Sequence, residues 1–201
     1  MSRITLTKAS LSRQKGLLKT YGAVLPSLEL KRRQLSAERA RARKSVQELE
    51  QQAQALEHEL GQRCPMLAHR PICLEGLARV VDVQLSEENL IGTRLPRIEA
   101  ISIEVADYGL LSLPFWVDDV VRALRLALET QIHLQVARTR LERLQEAEST
   151  VNRRFNLFEK VLIPRARDNI RRIRIYLGDA ERAAVVRSKI AKRKRAAEGI
   201  A

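Results

Sequence analysis

The chain has 201 residues and a mass of 22.9 kDa, with 30% charged and only 3% aromatic residues. So few large rings do not fill an ordinary compact core, and an apolar content made of Leu, Ile, Val and Ala suits long helical seams instead. Lys and Arg outnumber Asp and Glu by 37 to 24, a formal charge of +13, which calls for an anionic counterpart: nucleic acid, a membrane surface or an acidic protein socket.

The first predicted element begins at Thr7. From there Leu11, Gln14, Leu18, Tyr21, Leu25, Leu28, Arg32, Leu35, Arg39, Ala42, Val46, Leu49, Ala53, Leu56 and Leu60 follow one another in steps of four and three. This is a heptad seam held in one register for about 54 residues, which as helix would be about 80 Å long. Gly22 and Pro26 fall inside it, and Pro26, lacking an N–H, predicts a kink without a stop. Gly61, Cys64 and Pro65 are expected to end the helix.

Between Pro65 and Pro114 the period changes. Ile101, Ile103 and Val105 alternate with Ser102, Glu104 and Ala106, the pattern of a strand with one covered face. Two strands are expected, Ala78 to Leu85 and Ile98 to Val105, joined by a polar loop containing Asn89, Gly92 and Pro96. Cys64 and Cys73 flank Pro65 and Pro71 and are read as reduced structural thiols.

Past Pro114 the helical period returns through Val120, Leu124, Ala127, Gln131, Leu134, Arg138 and Leu141. It continues through Val151, Phe155, Phe158, Leu162, Ala166, Ile170, Ile173, Leu177, Ala180 and Ala184. Leu162, Ala166 and Ile170 are spaced four plus four, a stutter that contains Pro164 and predicts local unwinding and a bend. Two seams of this length cover each other if the helices fold back. The expected fold is therefore mainly α: a long antiparallel two-helix coiled coil from helices at 1–62 and 116–201, with a small central head at 63–115 bearing a β-hairpin. Arg32, Arg39, Gln131 and Arg138 interrupt the seams and are expected to snorkel or to pair with carboxylates at the margin.

No phosphate-cradling glycine loop, metal-ligand cluster or paired-carboxylate pocket is present in the sequence. His58, His69 and His133 are scattered, and Asp118 with Asp119 fits a helix N-terminus better than a metal site. No enzyme activity, cofactor or metal is expected. With no run of about 18 apolar residues and no signal-peptide pattern, neither a membrane span nor export is expected, and the predicted address is cytoplasmic. The polar features that remain are basic clusters: Lys31, Arg32, Arg33, Arg39, Arg41, Arg43 and Lys44 early in the chain, Arg165 to Arg174 late, and Arg187, Lys189, Lys192, Arg193, Lys194 and Arg195 near its end. Few aromatics lie beside them, which removes the stacking surface of a single-strand binder but leaves duplex phosphate binding as the alternative function.

Three stretches resemble the D-subunit family of V/A-type rotary ATPases. Leu25-Pro-Ser-Leu-Glu-Leu-Lys-Arg-Arg-Gln-Leu35, preceded by Thr7-Lys8, is similar to the Leu-Leu-Lys-x-Lys-Arg-x-x-Leu stretch of the family's first helix. Asn89-Leu-Ile-Gly-Thr-Arg-Leu-Pro96 is similar to the Asn-x-x-Gly-Val-x-x-Pro turn of its head. The most specific stretch runs from Val151-Asn152 through Glu159 to Pro164 and on to Glu181-Arg182, and resembles the Arg-Val-Asn-Ala-Leu-Glu-x-x-x-Ile-Pro and Leu-x-Glu-x-Glu-Arg signatures.

The resemblance implies a non-catalytic central rotor shaft, cytoplasmic and peripheral to the membrane, that couples ATP hydrolysis or synthesis to rotation and to transport of protons or sodium. The partners it implies are the F subunit, the catalytic and non-catalytic A and B subunits of the ring, and the funnel subunit (C or d) on the membrane rotor, with no nucleic acid. On that reading Lys31, Arg32, Arg33, Arg187, Lys189, Lys192 and Arg193 are candidate ring contacts, and Asn89, Gly92 and Pro96 form the head turn. Asn152, Glu159, Pro164, Glu181 and Arg182 carry the family signature.

Overall fold

Helix α1 spans Lys8–Arg63, strands β1 and β2 span Ala78–Leu90 and Thr93–Val105, helix α2 spans Val117–Asn156, and helix α3 spans Ile163–Ala197 after a π-helical turn at Leu157–Leu162. The computed structural model describes residues 5–63, 76–106, 116–197 and 199, so Cys64, Pro65, His69, Pro71, Cys73 and Pro114 lie outside the described residues. Mainly helical, with one two-stranded antiparallel sheet, the fold is the coiled coil with a hairpin that the periodicity predicts. By contact it divides into two units, residues 1–31 with 151–201, and residues 32–150.

In the first unit α1 and α3 run antiparallel: Lys8 Nζ lies 4.0 Å from Glu181 Oε1, Asn169 Nδ2 makes a long 3.5 Å bond to Gln14 Oε1, and the rings of Tyr21 and Phe158 meet edge to face at 5.4 Å. The covered stripe is Val151, Phe155, Ile163, Ala166, Ile170 and Ile173, against Leu11, Leu18, Tyr21, Leu25 and Leu28, all half-buried. Pro26 sits within α1, whose helix continues through it. The proline cannot bond the Gly22 carbonyl, and Gly22 is exposed, so water reaches that oxygen.

The predicted stutter is met by the π turn. There the Ile163 N–H donates to the Phe158 carbonyl, five residues back. One extra residue per turn moves the covered position from Leu162, half-buried, to Ile163, buried, after which steps of three and four resume through Ala166, Ile170 and Ile173. Pro164 explains the location. In an α-helix its ring would collide with the carbonyl of Lys160, and a wider turn immediately ahead of it relieves that contact.

Ala180 and Ala184, expected in the seam, are exposed, as is every residue from 179 to 196. The helix of α1 begins only at Lys8, opposite Glu181, so nothing in the described chain covers α3 beyond that point. The seam of sequence is there, and among the described residues its partner is not.

In the second unit α1 and α2 also run antiparallel, with Arg39 Nη1 2.8 Å from Glu148 Oε2 and Arg138 Nη2 2.7 Å from Glu50 Oε1. Leu35, Val46, Leu134 and Leu144 fill the interface, and Glu148, itself 8% exposed, occupies a seam position opposite its arginine. Asp118 and Asp119 stand in the first turn of α2, where the helix dipole favours them. Trp116, Val117, Val120 and Val121 form a small cluster with Leu77 and Leu124 at that end.

The strands are longer than expected and no polar loop joins them. Asn89 pairs with Arg94 and Leu90 with Thr93, leaving only Ile91 and Gly92 in the turn. Both have positive φ, 54° and 76°, the geometry of the primed turn that matches the twist of a hairpin. Glycine takes it freely, whereas Ile91 is β-branched and strained there. Pro96, expected in a loop, lies inside β2 opposite Glu87. A two-stranded sheet has only edge strands, so a proline facing outward removes no ladder bond.

Ile173 is fully buried and Val185 about half exposed. Ile173→Ala should therefore cost about 2–5 kcal/mol of stability and Val185→Ala less than about 0.5 kcal/mol, read by urea titration of the helical circular dichroism. Equal effects would contradict the seam.

Candidate docking surface

Charge is divided unevenly between the units. Residues 1–31 and 151–201 contain 21 Lys and Arg against 6 Asp and Glu, while residues 32–150 contain 16 against 18. The whole of the net +13 therefore belongs to the first unit, at +15, and the second is slightly acidic, at −2.

Ion pairing follows the same division. In the second unit Arg39, Arg41, Lys44, Arg63, Arg79, Arg94, Arg122, Arg138 and Arg140 each lie within 4.0 Å of a carboxylate. In the first, the pairs are Lys8 with Glu181 and Arg182 with Asp179, and other bonded groups there, such as Arg153 and Arg165, leave most of the cations facing water.

The candidate ring contacts do not form one cluster. Lys31 is half-buried on α1, and Arg32 and Arg33, both with partners, belong to the second unit. Arg187, Lys189, Lys192 and Arg193 are exposed on the part of α3 that runs past the start of α1, with Arg187 Nε donating to the Ala183 carbonyl at 3.2 Å. Since Tyr21 meets Phe158 and Lys8 meets Glu181, this segment lies beyond α1 and not beside Lys31.

Of the signature residues, Asn152 is half-buried on α2, Glu159 exposed in the π turn, and Pro164 is the second residue of α3. Arg182 is tied to its own helix, with Nη2 2.8 Å from Asp179 and Nε 3.3 Å from the Gly178 carbonyl. His58 Nε2 lies 2.9 Å from Gln62 Nε2, and His133 is exposed.

The head turn is held by residues that sequence reasoning missed. Arg140 donates from Nη1 to the Pro96 carbonyl at 2.8 Å and from Nη2 to Glu88 at 3.1 Å, and Arg143 Nη1 donates to the Arg94 carbonyl at 3.0 Å. Outward carbonyls two apart on a strand repeat at about 6.8 Å and helix residues three apart at about 4.5 Å, a mismatch that long guanidinium arms absorb. Leu95 and Pro96 are buried beneath this clamp, while Asn89 and Gly92 are exposed. Two arginines on a helix carry no local signal that they face a strand 44 to 49 residues earlier.

Among the described residues no group of three His, Cys, Asp or Glu could hold a metal, and no helix is long and apolar enough to cross a membrane. Helix pairs, a clamped hairpin and a segregated cationic surface are the equipment of a helical assembly component. The profile of the ATP synthase D-subunit family matches residues 10–193, and the chain belongs to that family. It is 34% identical over 192 residues to the V-type ATP synthase D subunit of Borreliella burgdorferi, covering 96% of this chain and 95% of that one. It is 31% identical over 199 residues to the Chlamydia muridarum protein of the same name, covering 96% of each.

Replacing Arg140 by Ala removes the donor to Pro96 and leaves Glu88 without its partner. Loss of such charged hydrogen bonds should destabilise the docked hairpin by about 1.5–3 kcal/mol, raising amide exchange at 85–98 by about ten- to a hundredfold while leaving the α3 amides unchanged.

Proposed function

We propose that the chain is the non-catalytic central shaft of a V-type ATP synthase, transmitting torque between a catalytic ring and a membrane rotor that moves protons or sodium. Residues 1–62 and 116–201 are the two strands of the shaft and 63–115 its head. The observation that carries this reading, beside family membership, is the end of α3: a helix exposed from residue 182 to 196, uncovered among the described residues and rich in Arg and Lys, in a unit of charge +15. Such a helix invites a sleeve. The ring of A and B subunits supplies it, the F subunit and the funnel subunit (C or d) bind the head end, and the complex sits on the cytoplasmic side of the membrane.

Torque in this scheme needs an asymmetric shaft whose sides meet each ring interface differently. Lys31, Arg32, Arg33, Arg187, Lys189, Lys192 and Arg193 contribute solvent-screened contacts, each worth about 0–1 kcal/mol. Numerous weak contacts exchange as the shaft turns, where a few strong ones would lock it.

Deleting 187–201 should weaken assembly with the ring and uncouple hydrolysis from rotation, while leaving a one-to-one complex with the F subunit intact. Reconstitution with full-length and truncated chains at two salt concentrations, scoring complex yield, ATP hydrolysis and rotation, is the test. Unchanged coupling would remove the tail from the torque path, and failure of the full-length chain to co-purify with the F subunit at low salt would remove the shaft assignment itself.

A further inference from the structure

The π turn at Leu157–Leu162, Pro164 and the part of α1 from Leu17 to Pro26 all belong to the first unit. Pro164 has no N–H, and Glu159 and Lys160 are exposed, so water reaches the carbonyl that it leaves without a donor. Pro26 leaves the Gly22 carbonyl in the same condition. Leu17 and Tyr21 line a cleft of about 220 Å³ together with Leu162 and Ala166, and the ring of Tyr21 meets that of Phe158. Both helices are therefore interrupted at about the same level of the seam.

Two helical frames fit the sequence across this level. With the π turn, the buried positions run Phe155, Ile163, Ala166, Ile170 and Ile173. With a continuous α-helix, the four-plus-four spacing of Leu162, Ala166 and Ile170 covers Leu162 instead, and the supercoil unwinds locally. From Ala166 onward the frames cover the same residues. They differ in one exchange, Ile163 for Leu162, an apolar pair of equal volume. Leu162 is already half-buried at the edge of the cleft, which has room for its side chain.

We infer that this level is a two-state joint, in which the π turn passes into a continuous α-helix that covers Leu162 in place of Ile163 and shifts the helix beyond Pro164 by one residue's rise, about 1.5 Å, along α1. The inference concerns the chain by itself and does not rest on the shaft reading.

Pro164 sets the balance. In the continuous helix its ring meets the carbonyl of Lys160, so the π turn is the major state and the continuous form the minor one. Little else opposes the exchange. Leu157 and Val161, on the outer side of the turn, are about half exposed, so their rotation uncovers little apolar surface. Two polar contacts across the seam beyond the turn, Asn169 to Gln14 at 3.5 Å and Lys8 to Glu181 at 4.0 Å, are long, and a displacement of this size breaks no tight bond there. Opposite, α1 lacks one backbone bond at Gly22 and Pro26 and bends to follow.

The test is methyl relaxation dispersion on the full-length chain, deuterated and labelled at the Leu and Ile methyl groups, since register shifts of helices run in microseconds to milliseconds. In the unaltered chain Leu162 and Ile163 should exchange at one common rate with a minor population of about 1–10%, while Leu144, buried in the second unit, stays quiet. Pro164→Ala should shift the ratio toward the continuous form by at least about tenfold. Leu162→Gln, which makes that form bury an amide, should abolish the exchange. Deleting Glu159 in the Pro164→Ala chain removes the extra residue of the turn, leaves one regular helix and should abolish it too.

Exchange that persists in Leu162→Gln is fraying of the turn and overturns the joint. So does a Pro164→Ala chain that keeps the unaltered ratio. Quiet Leu162 and Ile163 methyls in both the unaltered and the Pro164→Ala chains also overturn it, and make the π turn a fixed insertion.

Discussion

Everything in the helical part of this protein depends on one constraint: among the described residues the apolar stripe of α1 is covered by the C-terminal helical run. A straight α-helix drifts against a seven-residue repeat, and over many turns the two stripes stay in contact only if the drift is taken up. The π turn at Leu157–Leu162 is where the C-terminal run takes it up, advancing the covered position by one residue so that Ile163 replaces Leu162. Asn169 and Gln14 meet a little further along the same seam. A polar pair among Ala166, Ile170 and Ile173 adds little stability, but a slipped register would bury both amides against hydrocarbon, so it penalises the wrong alignments.

The same constraint explains what the head needs. A hairpin of two strands is marginal alone, and this one is docked through its tip, where Leu95 and Pro96 are buried and Arg140 and Arg143 take the outward carbonyls of β2. An edge occupied by guanidinium groups is also closed to another strand. Docking at this place is what allows Ile91 to persist at φ 54° in a turn that Asn, Asp or Gly would occupy without strain.

The helices were legible in the sequence because their period is long and redundant: nearly all the predicted α1 seam, from Leu11 to Leu60, is half-buried or buried. Arg39 and Arg138, seam interruptions, pair with Glu148 and Glu50 as a seam charge must. Elsewhere local signals misled. Pro96 and Asn89 are turn formers by composition, and only the two-stranded sheet, where every strand is an edge, makes them strand residues. The end of the seam at Ala180 and Ala184 is apolar in pattern, yet a pattern does not say whether its partner exists. Arg140 was invisible for the corresponding reason, since its partners come from a strand that no helical period reports.

The charge was the feature read at the wrong scale. A total of +13 suggests a basic rod, and the cluster from Lys31 to Lys44 looks as cationic as the one near the C-terminus. In three dimensions Arg39, Arg41 and Lys44 of the early cluster are spent on Glu148, Glu38 and Glu48, and the surplus resides in one unit. That division matters physically because the influence of an exposed charge decays over about 8 Å at physiological ionic strength. A partner touching the second unit meets a nearly neutral surface in which nine cations already have a local carboxylate, so exchange of partners at those positions gains little. A partner touching the first meets a surplus of exposed cations, so the carboxylates it brings are a net gain, small for each pair and summed over many.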